Sequence, residues 1–227
     1  MKAVVLLSGG LDSATTLAVA KNEGFDTLAL TVSYGQKHAV ELEAAIRVAN
    51  QIGCLEHHFI ECTFGGVGGS ALTSTDITVP KGRTVSEMTS EIPVTYVPAR
   101  NTILLALALS FAEARGANHI YVGVNAVDYS GYPDCRPEFI EAFERLANVA
   151  TKAAVESPGR SIFKLHAPLM SLTKRQIIEL GLTLGVDYSI THSCYDPTSE
   201  GLQCGQCDSC LIRQAAFDEL GIRDPAK

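Results

Sequence analysis

Ser8-Gly9-Gly10-Leu11-Asp12-Ser13 lies between an apolar run, Ala3-Val4-Val5-Leu6-Leu7, and the stretch Ala14-Thr15-Thr16-Leu17-Ala18-Val19-Ala20. The first flank reads as a buried strand and the second as a helix. A strand, a glycine turn and a helix N-terminus together make an anion site, because the first N–H groups of a helix lack internal partners and the helix dipole adds positive potential there. Gly9 and Gly10 let the backbone approach a phosphate closely. Ser8 and Ser13 add hydroxyl donors. Asp12 would repel a bare phosphate, so it faces a metal ion or caps the helix. The plainer alternative is a tight strand-to-helix turn with two capping groups.

The whole hexapeptide resembles the PP-loop of the ATP pyrophosphatase superfamily. It lacks the Lys that follows the last Gly of a Walker A sequence, and it is not a GxGxxG fingerprint. The resemblance implies an ATP site in which Ser8, Gly9, Gly10, Leu11, Asp12 and Ser13 form the loop. Members of that superfamily cleave ATP between its α and β phosphates and adenylate a carboxylate, amide or carbonyl oxygen.

Outward from the loop, strands and helices alternate. The first helix runs to about Glu23 and stops at Gly24. Strands follow at 27–33, 57–60, 119–124 and 161–166. Between them, a helix over 37–52 carries Leu42, Ile46, Ala49 and Ile52 on one stripe, and another carries Phe139, Phe143, Leu146 and Ala150. Thr173-Lys174-Arg175-Gln176 has the capping-box pattern and opens a helix that Gly185 ends. A last helix spans about 208–220. This order predicts an α/β fold: a parallel five-stranded sheet with helices on both faces, binding its ligand at the carboxyl ends of the strands. Residues 63–92 are rich in Gly and Pro and read as a partly ordered insertion able to close over a ligand. Val94–Val97 reads as a short extended piece. The nearly apolar stretch 102–115 lies either in the core or at a subunit interface, and the second placement would make the protein a homodimer.

The chain has 227 residues, 46% hydrophobic and 19% charged, with a formal net charge of −7. That composition supports a sizeable core and argues against disorder. The acidic balance and the lack of a Lys/Arg cluster argue against a nucleic-acid partner. No leader or membrane span is expected, so a cytoplasmic location is.

Cys194, Cys204, Cys207 and Cys210 crowd into one short stretch with the spacing Cys-x9-Cys-x2-Cys-x2-Cys. Four thiolates suit a closed, tetrahedral, structural Zn²⁺ site. An iron–sulfur cluster and sulfur-carrying cysteines are the competing assignments. His192 stands close enough in sequence to compete as a ligand. Cys54 and Cys62 are expected in the core, and Cys135 in a pocket loop. The organisation expected is a nucleotide-binding α/β domain over 1–185 and a cysteine-rich helical segment over 186–227.

SGGLDS at the start, VPARN at 97–101, VGVNAVDYSGYPDCRPEF at 122–139 and the CxxCxxC tail together resemble the 7-cyano-7-deazaguanine synthase family. The likeness covers essentially the whole chain. It implies a carbon–nitrogen ligase of queuosine biosynthesis whose small-molecule substrates are 7-carboxy-7-deazaguanine and ammonia, with ATP consumed in two activations. Ser13, Arg100 and Lys174 are then candidates for stabilising the phosphates, and Asp12 for holding Mg²⁺. A surface ion pair for Arg100 and a solvated first-turn position for Lys174 are the plainer alternatives. A deazaguanine needs a carboxylate for its N1–H and exocyclic amine, which Asp128 or Asp134 could supply, with Tyr129 or Tyr132 as a wall. Arg136 could hold the substrate carboxylate through its fork. A transfer-RNA thiolase, a lysidine-type ligase and a non-catalytic nucleotide sensor are the competing functions.

Overall fold

A computed structural model describes residues 1–33, 40–63, 68–74, 76–84, 87–88, 92–127 and 132–226. Five strands form one parallel sheet: β1 Lys2–Leu6, β2 Asp26–Ser33, β3 Glu56–Glu61, β4 His119–Tyr121 and β5 Lys164–His166, in the order β3-β2-β1-β4-β5. The helices are α1 Leu11–Asn22, α2 Val40–Ile52, α3 Arg100–Arg115, α4 Pro137–Ala150, α5 Lys152–Val155, α6 Lys174–Thr183 and α7 Asp208–Glu219. The expected sheet is present, and the direction of winding reverses between β1 and β4. Such a reversal opens a crevice beyond the strand ends.

Strand alternation divides the core in two. Ala3, Val5 and Leu7 pack with Leu17, Ile177, Ile178 and Phe217 on one face of the sheet. Val4, Leu28 and Leu30 pack with Leu105, Leu109, Phe143 and Phe163 on the other. Phe217 belongs to α7, so the cysteine-rich end of the chain shares its core with β1 and α1. On the opposite face, α3 contributes Leu105, Ala108, Leu109 and Ala112 to the core with Val4, Leu28 and Leu30.

Several sequence expectations shift. The buried stripe of α2 is Ala44, Ala45, Val48 and Ala49, while Ile46 is 44% exposed. The reason is proximity: a Cβ on Gly9 would sit 2.3 Å from the Ala45 nitrogen, so the helix approaches the turn most closely at Ala44 and Ala45, where small residues stand. In α4 the buried residues are Ile140, Phe143 and Ala147, and Leu146 is 48% exposed. β5 begins at Lys164 because the Ile162 and Phe163 N–H groups donate to Asn148 Oδ1 instead of a neighbouring strand. β4 stops early as well. Gly123 passes so close to α1 that a Cβ would meet Thr16 Oγ1 at 2.9 Å. Val94 and Thr95 form a turn, closed by Tyr96 N–H to the Pro93 carbonyl at 2.9 Å, not an extended piece. The Thr173 capping box is present as expected.

The described part of the 63–92 insertion packs on the cysteine cluster through Ala71, Leu72 and Val79. Lys81 bridges to Cys207 and pairs with Asp196 at 2.8 Å, and Arg83 pairs with Asp208. Among the described residues no helix is long and apolar enough to cross a membrane.

Candidate active site

The cleft at the carboxyl ends of β1, β2 and β4 has a volume of about 240 Å³. Leu6, Leu30, Val32, Val122 and Val124 line its apolar floor. Around the rim stand the Ser8–Ser13 turn, the start of α3 with Arg100 and Asn101, Tyr132 and Cys135, and the strand-free segment His192, Ser193 and Tyr195.

The turn is held by its own hydroxyls. Ser8 and Ser13 Oγ lie 3.1 Å apart, Ser8 N–H donates to Ser13 Oγ at 3.2 Å, and Ser13 Oγ donates to the Gly10 carbonyl at 3.1 Å. Gly9 has φ +83°, a conformation that a side chain resists, and α2 leaves no room for one. Gly10 caps α1 without a side-chain bond to its first turn. The Gly10 and Leu11 N–H groups are satisfied only by long bonds of 3.3 Å, to Ser8 Oγ and Ser193 Oγ. Such contacts are readily exchanged for the shorter, charge-assisted bonds that an anionic oxygen would make. The turn therefore fits a polyphosphate.

Two alternatives stood open for Asp12, a metal ion or a cap. In the fold its two carboxylate oxygens each accept a hydrogen bond from Lys174 Nζ at 2.8 Å. Lys174, in the first turn of α6, is only 7% exposed and is no solvated surface residue. Arg100 lines the cleft directly. It follows Ala99, whose φ of +52° makes it the one non-glycine residue with positive φ among those described. Strain of this kind persists only where the surroundings enforce it.

Of the proposed base-binding residues, Asp128 and Tyr129 lie outside the described residues. Asp134 is buried and does not line the cleft. Its Oδ2 accepts from the Asn101 backbone N–H at 3.0 Å, and its carbonyl accepts from Asn101 Nδ2 at 2.9 Å. It thus satisfies an amide of the first turn of α3, where a negative charge is also favoured by the helix dipole. Arg136 is exposed at the N-cap of α4 and does not line the cleft. From the same loop, Tyr132 and Cys135 do reach the cleft. Burial raises the Tyr132 phenol above its ordinary range and pushes the Cys135 thiol up to about 12, so both are neutral walls.

Glu41 is a cleft residue that the sequence pattern did not single out. It is half-buried in the first turn of α2, and desolvation lifts its carboxyl to about 7 against the opposing pull of Arg100. Ser193 and Tyr195 were missed too, although their place beside Cys194 could have drawn attention to them.

Behind the rim, the sulfurs of Cys194, Cys204, Cys207 and Cys210 all lie within 4.8 Å of one another, and none is in a disulfide. Cys194 and Cys207 Sγ are 4.0 Å apart, close to the roughly 3.8 Å edge of a tetrahedron with 2.3 Å metal–sulfur bonds. Backbone N–H groups of Cys204, Tyr195 and Cys207 point at Cys194, Cys207 and Cys204 Sγ at 3.2, 3.5 and 3.3 Å. Thiol contacts from Cys194 and Cys210 hold Cys207 far below the ordinary thiol range, while the same crowding pushes Cys194 and Cys210 up. Four thiolates this close need a cation between them, so the donor set fits a metal ion. His192 is not among these ligands; it lines the cleft, with its backbone N–H donating to the Gly9 carbonyl at 2.9 Å.

The chain is similar to known proteins over nearly its whole length. The family described as "Queuosine biosynthesis protein QueC" matches residues 2–221. A protein of Desulfatibacillum aliphaticivorans named 7-cyano-7-deazaguanine synthase is 62% identical over 226 residues, covering 100% of this chain and 96% of that protein. Proteins of the same name from Solidesulfovibrio magneticus and Myxococcus xanthus are 60% and 58% identical, covering 100% of this chain and 95% and 96% of their own. Among solved structures, a predicted subunit of tRNA methyltransferase from Methanocaldococcus jannaschii matches with a TM-score of 0.51 at 16% identity, over 99% of this chain and 90% of that one. At that identity the match shows a shared fold alone.

Proposed function

The chain belongs to the queuosine biosynthesis QueC family, and on that premise we propose how its cleft works as an ATP-dependent carbon–nitrogen ligase. The reaction converts 7-carboxy-7-deazaguanine and ammonia into 7-cyano-7-deazaguanine. The observation that carries the proposal is the Ser8–Ser13 turn, whose amides and hydroxyls face the cleft in bonds that a phosphate would replace.

ATP supplies an activated α-phosphorus. The substrate carboxylate attacks it and pyrophosphate leaves; ammonia then displaces AMP to give an amide. A second activation, at the amide oxygen, ends in loss of AMP and a nitrile. Both rounds use one pocket, because the chemistry at phosphorus is the same. Negative charge grows on the departing pyrophosphate, so the protein's part is positioning and fixed positive potential. The N–H groups of Gly10 and Leu11, the hydroxyls of Ser8 and Ser13, and the Arg100 guanidinium provide it. Lys174 neutralises Asp12, which would otherwise repel the phosphates; with both oxygens bonded to Lys174, Asp12 would hold Mg²⁺ through water rather than directly. Cys194, Cys204, Cys207 and Cys210 would hold Zn²⁺ as a structural ion that anchors the His192–Tyr195 rim to α7.

Incubation of the protein with ATP, ammonium and the carboxylated base tests the proposal. Two AMP and two pyrophosphate per nitrile are expected. Modified transfer RNA without free nitrile base, or no pyrophosphate at all, would contradict it.

A further inference from the structure

Both rounds of the proposed reaction leave protons on nitrogen that must be removed. Ammonia that has added to a carboxyl adenylate stays cationic until it loses one. Adenylation of the amide oxygen gives a C=NH₂⁺ group that must lose two. Proton transfer of this kind needs a base within hydrogen-bond reach. The carboxylates lining the cleft among the described residues are Asp12 and Glu41. Asp12 has both oxygens bonded to Lys174 at 2.8 Å, so protonating it would break a largely buried ion pair. The ion pairs among the described residues do not include Glu41, on which Arg100 acts as a nearby positive charge. It stands on α2, which packs against the phosphate turn: its own carbonyl oxygen is 2.8 Å from where a Gly9 Cβ would be.

From this geometry we infer that Glu41 is the general base that takes the nitrogen-bound protons, an assignment that rests on the ligase reading above. In the first round the nitrogen lone pair forms the C–N bond, the C–O bond breaks with its electron pair onto AMP, and the ammonium proton passes to the Glu41 carboxylate. In the second, one N–H proton of the C=NH₂⁺ group leaves. The electron pair of the last N–H bond then becomes the third C–N bond while the C–O pair departs with AMP. Glu41 accepts each proton and returns it to water. The titratable and charged groups that share the cleft with it are Arg100, Asp12 with its partner Lys174, Tyr132, Cys135, His192 and Tyr195. A carboxyl lifted to about 7 matches a base working near neutral pH.

Glu41→Gln and Glu41→Asp in the full chain test the inference beside the wild type. Two rates are read: exchange of labelled pyrophosphate into ATP with the carboxylated base and no ammonia, and nitrile formation with ammonium from pH 6 to 9. In Glu41→Gln, nitrile formation is expected to fall about 100-fold or more while exchange falls far less. The acidic limb of the nitrile profile disappears with it, and Glu41→Asp recovers part of the rate. Nitrile formation by Glu41→Gln near the wild-type rate would overturn the assignment. So would a parallel loss of exchange, which would make Glu41 a nucleotide- or base-binding residue. A wild type that forms no nitrile fails the ligase reading itself and removes the assignment with it.

Discussion

Lys174 Nζ lies 2.8 Å from each carboxylate oxygen of Asp12, a residue 162 positions earlier in the chain. The pair joins the first turns of α1 and α6 and sets the charge beside the phosphate turn. Lys174→Met leaves Asp12 uncompensated in a mostly buried place. We expect stability to fall by about 2 kcal/mol in urea unfolding, the cost of breaking a buried pair discounted for the partial exposure of Asp12. Pyrophosphate release should fall more steeply than that loss explains, because the bare carboxylate repels ATP. A variant with wild-type turnover would dissociate the pair from the site.

Gly9→Ala places a methyl group 2.3 Å from the Ala45 nitrogen in a backbone of φ +83°. The three nearest atoms, from Ala45, Ala44 and Glu41, are all backbone, so α2 or the turn must shift. A loss of about 3 kcal/mol, or a Tm lower by roughly 5–10 °C, is expected together with near-complete loss of ATP binding. An unchanged Tm would mean that the turn and α2 are not packed this way.

The four-cysteine centre should bind one Zn²⁺ per chain in metal analysis of protein purified under anaerobic conditions. Cys207→Ser, at a fully buried position, should lower Tm and release the metal. Stoichiometric iron with visible absorption would replace zinc by an iron–sulfur cluster.

His119 Nδ1 and His166 Nε2 share a hydrogen at 2.9 Å, so the two rings cannot both be protonated there. Burial holds both below the ordinary imidazole range, and the His119 charge lowers His166 further. Their contribution to stability is complete above the unfolded value of about 6.5 and is lost as pH falls through the folded values. Unfolding free energies should therefore drop between about pH 7 and pH 5, and His119→Phe should flatten that slope. An equal slope in the variant would assign the acid sensitivity elsewhere.

What the sequence made legible was local. Strand, turn and helix around Ser8–Ser13 are contiguous, and the spacing of Cys204, Cys207 and Cys210 brings their sulfurs together within one turn. Side chains whose partners are remote were not legible. Asp134 has the right chemistry for a guanine edge, yet its carboxylate is bonded to the amide of Asn101, 33 residues before it. Glu41 looked like one more polar position on an amphipathic helix, because only tertiary packing turns that helix toward the cleft. The buried stripe of α2 was misassigned for a related reason: Ala44 and Ala45 stand where the helix approaches the Gly9 turn most closely.

The central claim is that the phosphates of ATP rest on the Ser8–Ser13 turn, and base-dependent exchange of labelled pyrophosphate into ATP by the Ser8→Ala/Ser13→Ala double variant tests it most directly. Each hydroxyl that bonds an anionic oxygen contributes about 1.5–3 kcal/mol, so exchange should fall about 100-fold or more while the fold remains intact by circular dichroism. Exchange at the wild-type rate in that variant would contradict the account.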